Sequence, residues 1–406
     1  MLVKRGYKAE LDLNNEQITL CLKHCGATRW AYNYALRRKQ ENYKAGLPTP
    51  YASDLHREIN ALKKTEIPWA YEVSKCAFQE GLRDADDAFT HFFRKCNLKR
   101  EGKQKGKCGY PKFKSRKKQI GSARFTGTMK VYPDTIQLPR LGMLRLKEHA
   151  YLPMNTKIGS ATISEHAGRW YVSICVHEDR AEPTRAIGEA IGVDLGIKML
   201  ATLSAGETFD NLKALRKKIN ALKRASRKHS RKKKGSNNRK KAKQKLARVH
   251  VKIANVRKDA LHKATSAIVA RTKPDCERPS VIVLEDLNVS RMLKNHKLAR
   301  ACADVGLYEF KRQILYKAAF AGVEVKLASR WYPSSKTCHC CGWVKEDLTL
   351  ADRVFVCEDC GNVTDRDYNA ARNLAALAEQ KESTQSSRGI DAFGDCVRLE
   401  ISSNSR

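Results

Sequence analysis

Val3, Tyr7 and Leu11 share one face of a two-residue repeat, so residues 1–12 read as a strand. Asn14 or Asn15 can cap a following helix, in which Leu22, Cys25, Trp30, Tyr34 and Leu36 recur at helical spacing. A second helix is expected around Ala52–Leu62 and a third over Ser74–Arg94. In the third, Phe78, Leu82, Ala85, Phe89 and Phe92 form one stripe, and that spacing assigns the rings to a core rather than to base stacking. Residues 95–120 are rich in Gly and Lys, carry GYPKFK at 109–114, and read as a loop on a phosphate backbone. From Ser122 to Glu178 the pattern shortens to alternating runs such as TIQLPRL, SATISEH and RWYVSICVHE, which predicts several strands in a small barrel or sandwich. Polar residues around Pro183 make 179–189 a linker.

The second half alternates strands and helices. Apolar runs at 190–194, 199–204, 281–284 and 323–327 predict strands, and 307–321 and 368–379 predict helices. Leu212, Leu215, Ile219 and Leu222, then Leu246, Val249, Ile253 and Val256, give two amphipathic helices joined by a tip at 231–241. Leu261, Ala264, Ile268 and Val269 carry the second one on. Residues after Lys381 are polar and low in complexity, so a mobile tail is expected there.

Length and composition narrow the class. The 406 residues suffice for two to four domains, and 42% hydrophobic residues allow real cores, which excludes a wholly disordered chain. No run of eighteen apolar residues offers a membrane span. The start, MLVKRGYKAELDL, lacks the apolar stretch of a secretory signal, so a cytosolic or nucleoid protein is expected.

Charge changes the picture most. Of the net +36, residues 211–258 carry +21 with no acid, and 94–118 carry +11 with Glu101 alone opposing twelve Lys/Arg. Self-repulsion on this scale calls for a polyanion, and sparse apolar anchors disfavour a membrane surface. Nucleic acid is the expected partner. Lys112, Lys114, Arg231, Lys232, Lys233, Lys234, Arg239 and Lys240 are the candidate contacts.

Nine of the fourteen cysteines are scattered and read as small buried hydrophobes. The other five cluster. Cys338–Cys341 and Cys357–Cys360 form two C-x2-C pairs with fifteen residues between them, each followed by Gly. Two such turns close a tetrahedron around one structural Zn²⁺. His339 and Cys340 lie inside the first pair and compete, but only Cys338 with Cys341 has the standard spacing. Four ligands leave no open position for catalysis.

Three carboxylates complete the set. Asp194 and Glu285 end apolar strands, where a charge must be paired or bind a cation, and Asp367 precedes the last helix. Converging, they could hold two Mg²⁺ about 4 Å apart across a phosphodiester. From the residues alone, Asp286 competes with Glu285, Asp365 competes with Asp367, and capping or turn roles remain open for each.

Together GVDLG, the LEDL strand end, SSKTCHCCG, the second cysteine pair and DRDYNAARN resemble, in order and spacing, the TnpB (OrfB) family. These are RNA-guided nucleases of bacterial insertion sequences and relatives of type V CRISPR effectors. GATRWAYNYAL, FQEGLRDADDAFTHFFR and GYPKFKSR extend the resemblance over roughly residues 1–380. It implies an α/β multidomain protein: a RuvC-like, RNase H-type nuclease domain with an inserted zinc ribbon, preceded by a β-barrel wedge domain interrupted by a helical recognition domain. The implied division is wedge 1–13 and 121–182, helical recognition 14–120, nuclease 187–332 and 364–380, zinc ribbon 333–363, and tail 381–406. It selects Asp194, Glu285 and Asp367 as catalytic Mg²⁺ ligands, and it implies a guide RNA from the element and a double-stranded DNA target. The rival readings are a transposase of the same fold acting without RNA, and a non-cutting RNA-guided DNA-binding regulator.

Overall fold

The computed structural model describes residues 2–116, 120–270, 277–349 and 351–379. The expected tail lies outside them, as do Cys276 and Cys396. They form two compact units that meet in sequence between Ala181 and Glu182.

The first unit opens with strand β1 (Leu2–Asp12), then helices α1 (Asn15–Lys44), α2 (Ala52–Thr65) and α3 (Lys75–Arg100). Asn14 is the α1 cap: its side chain accepts the Gln17 amide at 2.8 Å, and Gln17 returns the bond to the Asn14 amide. Strands β2 (Ser122–Phe125), β3 (Lys130–Val131), β4 (Thr135–Leu138), β5 (Gly142–Leu146), β6 (Lys157–His166) and β7 (Arg169–Asp179) follow. All seven pair antiparallel in the order β2-β6-β7-β1-β5-β4-β3. The first strand therefore sits inside a sheet whose other members come more than a hundred residues later. Phe125 near one end of that order and Ile136 near the other share one core, yet among the described residues β2 and β3 are the two edges and no pairing joins them.

Two details depart from the sequence reading. Helix α3 runs to Arg100, six residues past the expected end, because RKCNLKR consists mostly of good helix formers with basic residues in the last turn. Phe78, Leu82 and Ala85 are buried in the helical core and Phe89 packs on it, but Phe92 lies beyond that core and meets Tyr110 of the basic loop at 5.2 Å.

In the second unit, β8 (Ile191–Leu195), β9 (Met199–Leu203) and β10 (Thr208–Asp210) lead into helices α4 (Ala214–Ser230) and α5 (Asn237–Ala270). Then come β11 (Val281–Glu285), α6 (Val289–Met292), α7 (Ala299–Val305), α8 (Leu307–Ala321), β12 (Glu324–Ala328), the hairpin β13 (Val354–Val356) and β14 (Val363–Asp365), and α9 (Arg366–Ala376). The sheet order is β10-β9-β8-β11-β12, antiparallel through β8 and parallel from β8 to β12. Residues 289–305, given no element by their weak periodicity, hold two short helices. The tip of the basic hairpin shortens to 231–236, with Arg239–Lys241 already in α5.

An acid from outside roots that hairpin. Buried Asp304 of α7 accepts the amides of Leu215 and Arg216 at 2.9–3.2 Å and pairs with Arg257 of α5 at 3.1 Å. Among the described residues, no helix is long and apolar enough to cross a membrane.

Candidate active site and metal centre

Parallel pairing decides where two of the acids go. Val193 of β8 lies opposite Leu284 of β11, so the next residue on each strand, Asp194 and Glu285, emerges at the same edge of the sheet. Residues 191–193 and 281–284 are buried, as a central parallel strand requires, while both acids are half-buried. Helix α9 packs across β8 and brings Asp367, in its first turn, to that edge.

Electrostatics separates the competing acids. Burial pushes the Asp194 carboxyl well above the ordinary carboxylate range, and the charges of Glu285 and Asp367 push it further. Burial and Asp367 also raise Glu285, against a hydrogen bond from Ser334. Asp286, by contrast, is held below the usual range by Lys311 at 2.8 Å and Arg330 at 2.5 Å. Asp365 is the cap of α9, accepting the amides of Asp367 and Tyr368 at 2.9 and 3.0 Å. That leaves the Asp367 carboxylate for Arg366 at 2.9 Å and Arg353 at 3.9 Å.

Neither Asp194 nor Glu285 has an ion pair among the described residues. Three hard-oxygen acids on one edge, two of them raised by burial and mutual repulsion, fit a divalent cation. Among the described residues only Cys338, Cys341, Cys357 and Cys360 bring a set of ligand atoms within 4.8 Å of one another.

Those cysteines sit on two matched turns. The amides of Gly342 and Gly361 return to the carbonyls of Cys338 and Cys357 at 3.0 and 3.1 Å, and both glycines take φ of +81° and +70°. A side chain is disfavoured there. Cys338 lies 3.7 Å from Cys360, and Cys341 3.5 Å from Cys357. Burial opposes ionisation of Cys338, yet the amides of Cys341 and Cys340 and the neighbouring thiols bring it down to about 6. Cys340 points elsewhere, to His339 Nε2 at 3.4 Å, so it is not one of the four.

The basic candidates divide. Lys112, Arg231, Lys232, Lys233 and Lys234 are exposed. Lys114 is engaged internally, with Asp84 at 3.1 Å and over the Tyr32 ring at 4.0 Å. Arg239 donates to the carbonyls of Lys232 at 2.7 Å and of His229 and Ser230 at 3.4 Å, closing the end of α4, and Lys240 reaches Asn237 at 3.3 Å.

Three family descriptions match: "Probable transposase" over residues 173–296, "Cas12f1-like, TNB domain" over 308–374, and "Helix-turn-helix domain" over 1–47. A Streptomyces pristinaespiralis protein described as "Putative RNA-guided DNA endonuclease" is 37% identical, over 92% of this chain and 89% of its own. The Escherichia coli K12 protein "Putative RNA-guided DNA endonuclease InsQ" is 31% identical over 92% of each. The chain belongs to the TnpB (OrfB) family. Among solved structures, a Cas12f1–sgRNA–target DNA complex matches with a TM-score of 0.50 at 15% identity, over 88% of this chain and 82% of that one, a likeness of fold alone. On the TnpB chain, the first match spans Asp194 and Glu285, and the second spans all four cysteines and Asp367. The helix-turn-helix match falls on β1 and the single long helix α1.

Sequence reasoning passed over Ser334, Asn369 and Asn373 as chemistry. Their signal was an Asn-x3-Asn spacing on the last helix and a Ser four residues before the first cysteine.

Proposed function

We propose that this protein is an RNA-guided DNA endonuclease of a bacterial transposable element, cutting double-stranded DNA beside a short motif. The observation that carries the chemistry is the register of β8 and β11, which sets Asp194 beside Glu285 at the sheet edge faced by Asp367. The sheet order, three antiparallel strands followed by two parallel ones, agrees with a RuvC-like, RNase H-type domain divided as 187–332 and 364–380 around a ribbon at 333–363. The seven-stranded sheet with its helical insertion would be the wedge (1–13, 121–182) and recognition (14–120) parts.

Asp194, Glu285 and Asp367 would hold two Mg²⁺, which supply charge to activate the attacking water and to stabilise the leaving 3′ oxygen. The carboxylates orient the phosphodiester by fixing where positive charge stands, and no side chain need act as nucleophile. Asp286, neutralised by Lys311 and Arg330, stays out of the way. The four cysteines would hold one structural Zn²⁺. The basic arms would hold RNA and heteroduplex backbones, while base pairing reads sequence.

In the test, the complex with its RNA and a matched target is compared with Asp194→Ala. Cleavage should be abolished while RNA-guided binding persists. A variant that still cuts in Mg²⁺ overturns the assignment. The match to a family described as transposase supports a second reading, strand transfer without RNA. Joining of element ends by RNA-free protein would favour it.

A further inference from the structure

Buried Ser334, 3% exposed, donates its hydroxyl to Glu285 Oε1 at 2.6 Å. It lies on the loop between β12 and the first cysteine pair, and α9 holds that loop at several points. Asn373 donates both amide hydrogens, to the Ser334 carbonyl at 2.7 Å and the Thr337 carbonyl at 2.6 Å. One turn earlier, Asn369 donates to the same Thr337 carbonyl at 2.7 Å. The Asn369 carbonyl oxygen accepts the backbone amide of His339, beside Cys338, at 3.0 Å. Asn369 is fully buried and Asn373 nearly so, and a spacing of four puts them on one face of the helix that begins with Arg366 and Asp367.

We infer that Ser334 is the positioning residue for Glu285, and that Asn369 and Asn373 clamp its loop and the first cysteine pair to the helix bearing Asp367. The inference rests on the reading of those acids as the metal-binding set. A capping residue would satisfy a helix end, but these amides sit within α9 and reach out to carbonyls of another segment. They are neutral, so they align the acids without competing for a cation. The cysteine cluster then acts as a fixed end of the same frame: the first pair, the Ser334 loop and α9 move as one piece. Removing an outer partner of a ligating carboxylate typically lowers metal affinity about 10- to 100-fold.

The test uses the complex with the RNA recovered from the expressed protein, in wild-type, Ser334→Ala, Asn369→Ala and Asp194→Ala forms. Cleavage is followed against Mg²⁺ concentration, Ca²⁺ binding by calorimetry, and zinc by elemental analysis. For Ser334→Ala the Mg²⁺ midpoint should rise about tenfold, with the rate recovering at high Mg²⁺ and Ca²⁺ affinity falling in parallel. Zinc content and target binding should not change. Asn369→Ala should shift the midpoint the same way. If it fails to fold, Ser334→Ala decides alone. A Ser334→Ala protein with unaltered Mg²⁺ midpoint and Ca²⁺ affinity overturns the inference, as does one that only melts earlier. Should Asp194→Ala still cut, the underlying reading fails instead, so the two failures are told apart.

Discussion

A Cβ on Gly192 would stand 1.9 Å from the carbonyl oxygen of Ala371 and 2.5 Å from the amide nitrogen of Ala375. Strand β8 and helix α9 thus touch backbone to backbone, one turn from Asp367 and two residues from Asp194. Both atoms belong to the helix backbone, so neither can swing away. Gly192→Ala should cost about 3 kcal/mol, lowering Tm by about 6–12 °C for a unit of this size. Cleavage should also fall well below wild type at temperatures where circular dichroism shows the variant folded, because α9 must move. A variant with wild-type Tm and activity would contradict so close an approach.

Asp194 and Glu285 are both raised, so between their unfolded values near 4 and their higher folded values the native state binds more protons than the unfolded one. In chelator, their contribution is fully present below about pH 4 and is lost as pH rises through the folded values. Glu10, Glu58 and Glu178 are lowered and act oppositely at acid pH, so the quantity to follow is the difference between wild type and Asp194→Asn. Thermal melts should show the variant gaining on wild type as pH increases. A difference that is flat or shrinks with pH counts against the reading.

The cysteine cluster has almost no core of its own: Cys338, Phe355 and Cys357 are buried, with Trp343 and Leu348 packed on them. So small an apolar group cannot hold a fold without a metal. Elemental analysis should find one zinc per chain. Cys357→Ser or a strong chelator should remove it and change Trp343 fluorescence. A protein that keeps its Trp343 signal without zinc would rule out a structural role for the ion.

On the basic hairpin, Lys232, Lys233 and Lys234 face solvent, whereas Arg239 closes the α4 terminus. Replacing the three lysines by Ala should flatten the slope of log affinity for RNA against log salt by about 0.7–0.9 for each phosphate left without its cation, with Tm unchanged. Arg239→Ala should instead lower the stability of the hairpin, seen as faster amide exchange near residues 230–236. Equal effects from both variants would show that the division is wrong.

Much of this was legible because burial leaves a local signature. The run VIVLE could only be a covered strand, and C-x2-C twice over could only converge on one point. Strand order was not legible, since β8 and β11 are neighbours through side chains spread over ninety residues. Apart from the family resemblance, which selected Asp367, the residues left Asp365 open: two backbone amides make Asp365 a cap and leave Asp367 to ion pairs. Arg239 looked like its lysine neighbours until the carbonyls it serves were in view. Local composition reports which residues carry charge, and tertiary geometry decides which of those charges is already engaged.

The 17 residues of α4 carry the hairpin tip about 25 Å from its root at Asp304, some three Debye lengths in physiological salt. Length here is insulation. Cations at the tip neither offset the charge on Asp304 nor are weakened by it. On the reading proposed above, the tip would gather phosphates on its own terms, and its charge can be raised or lowered without disturbing the acid that roots it.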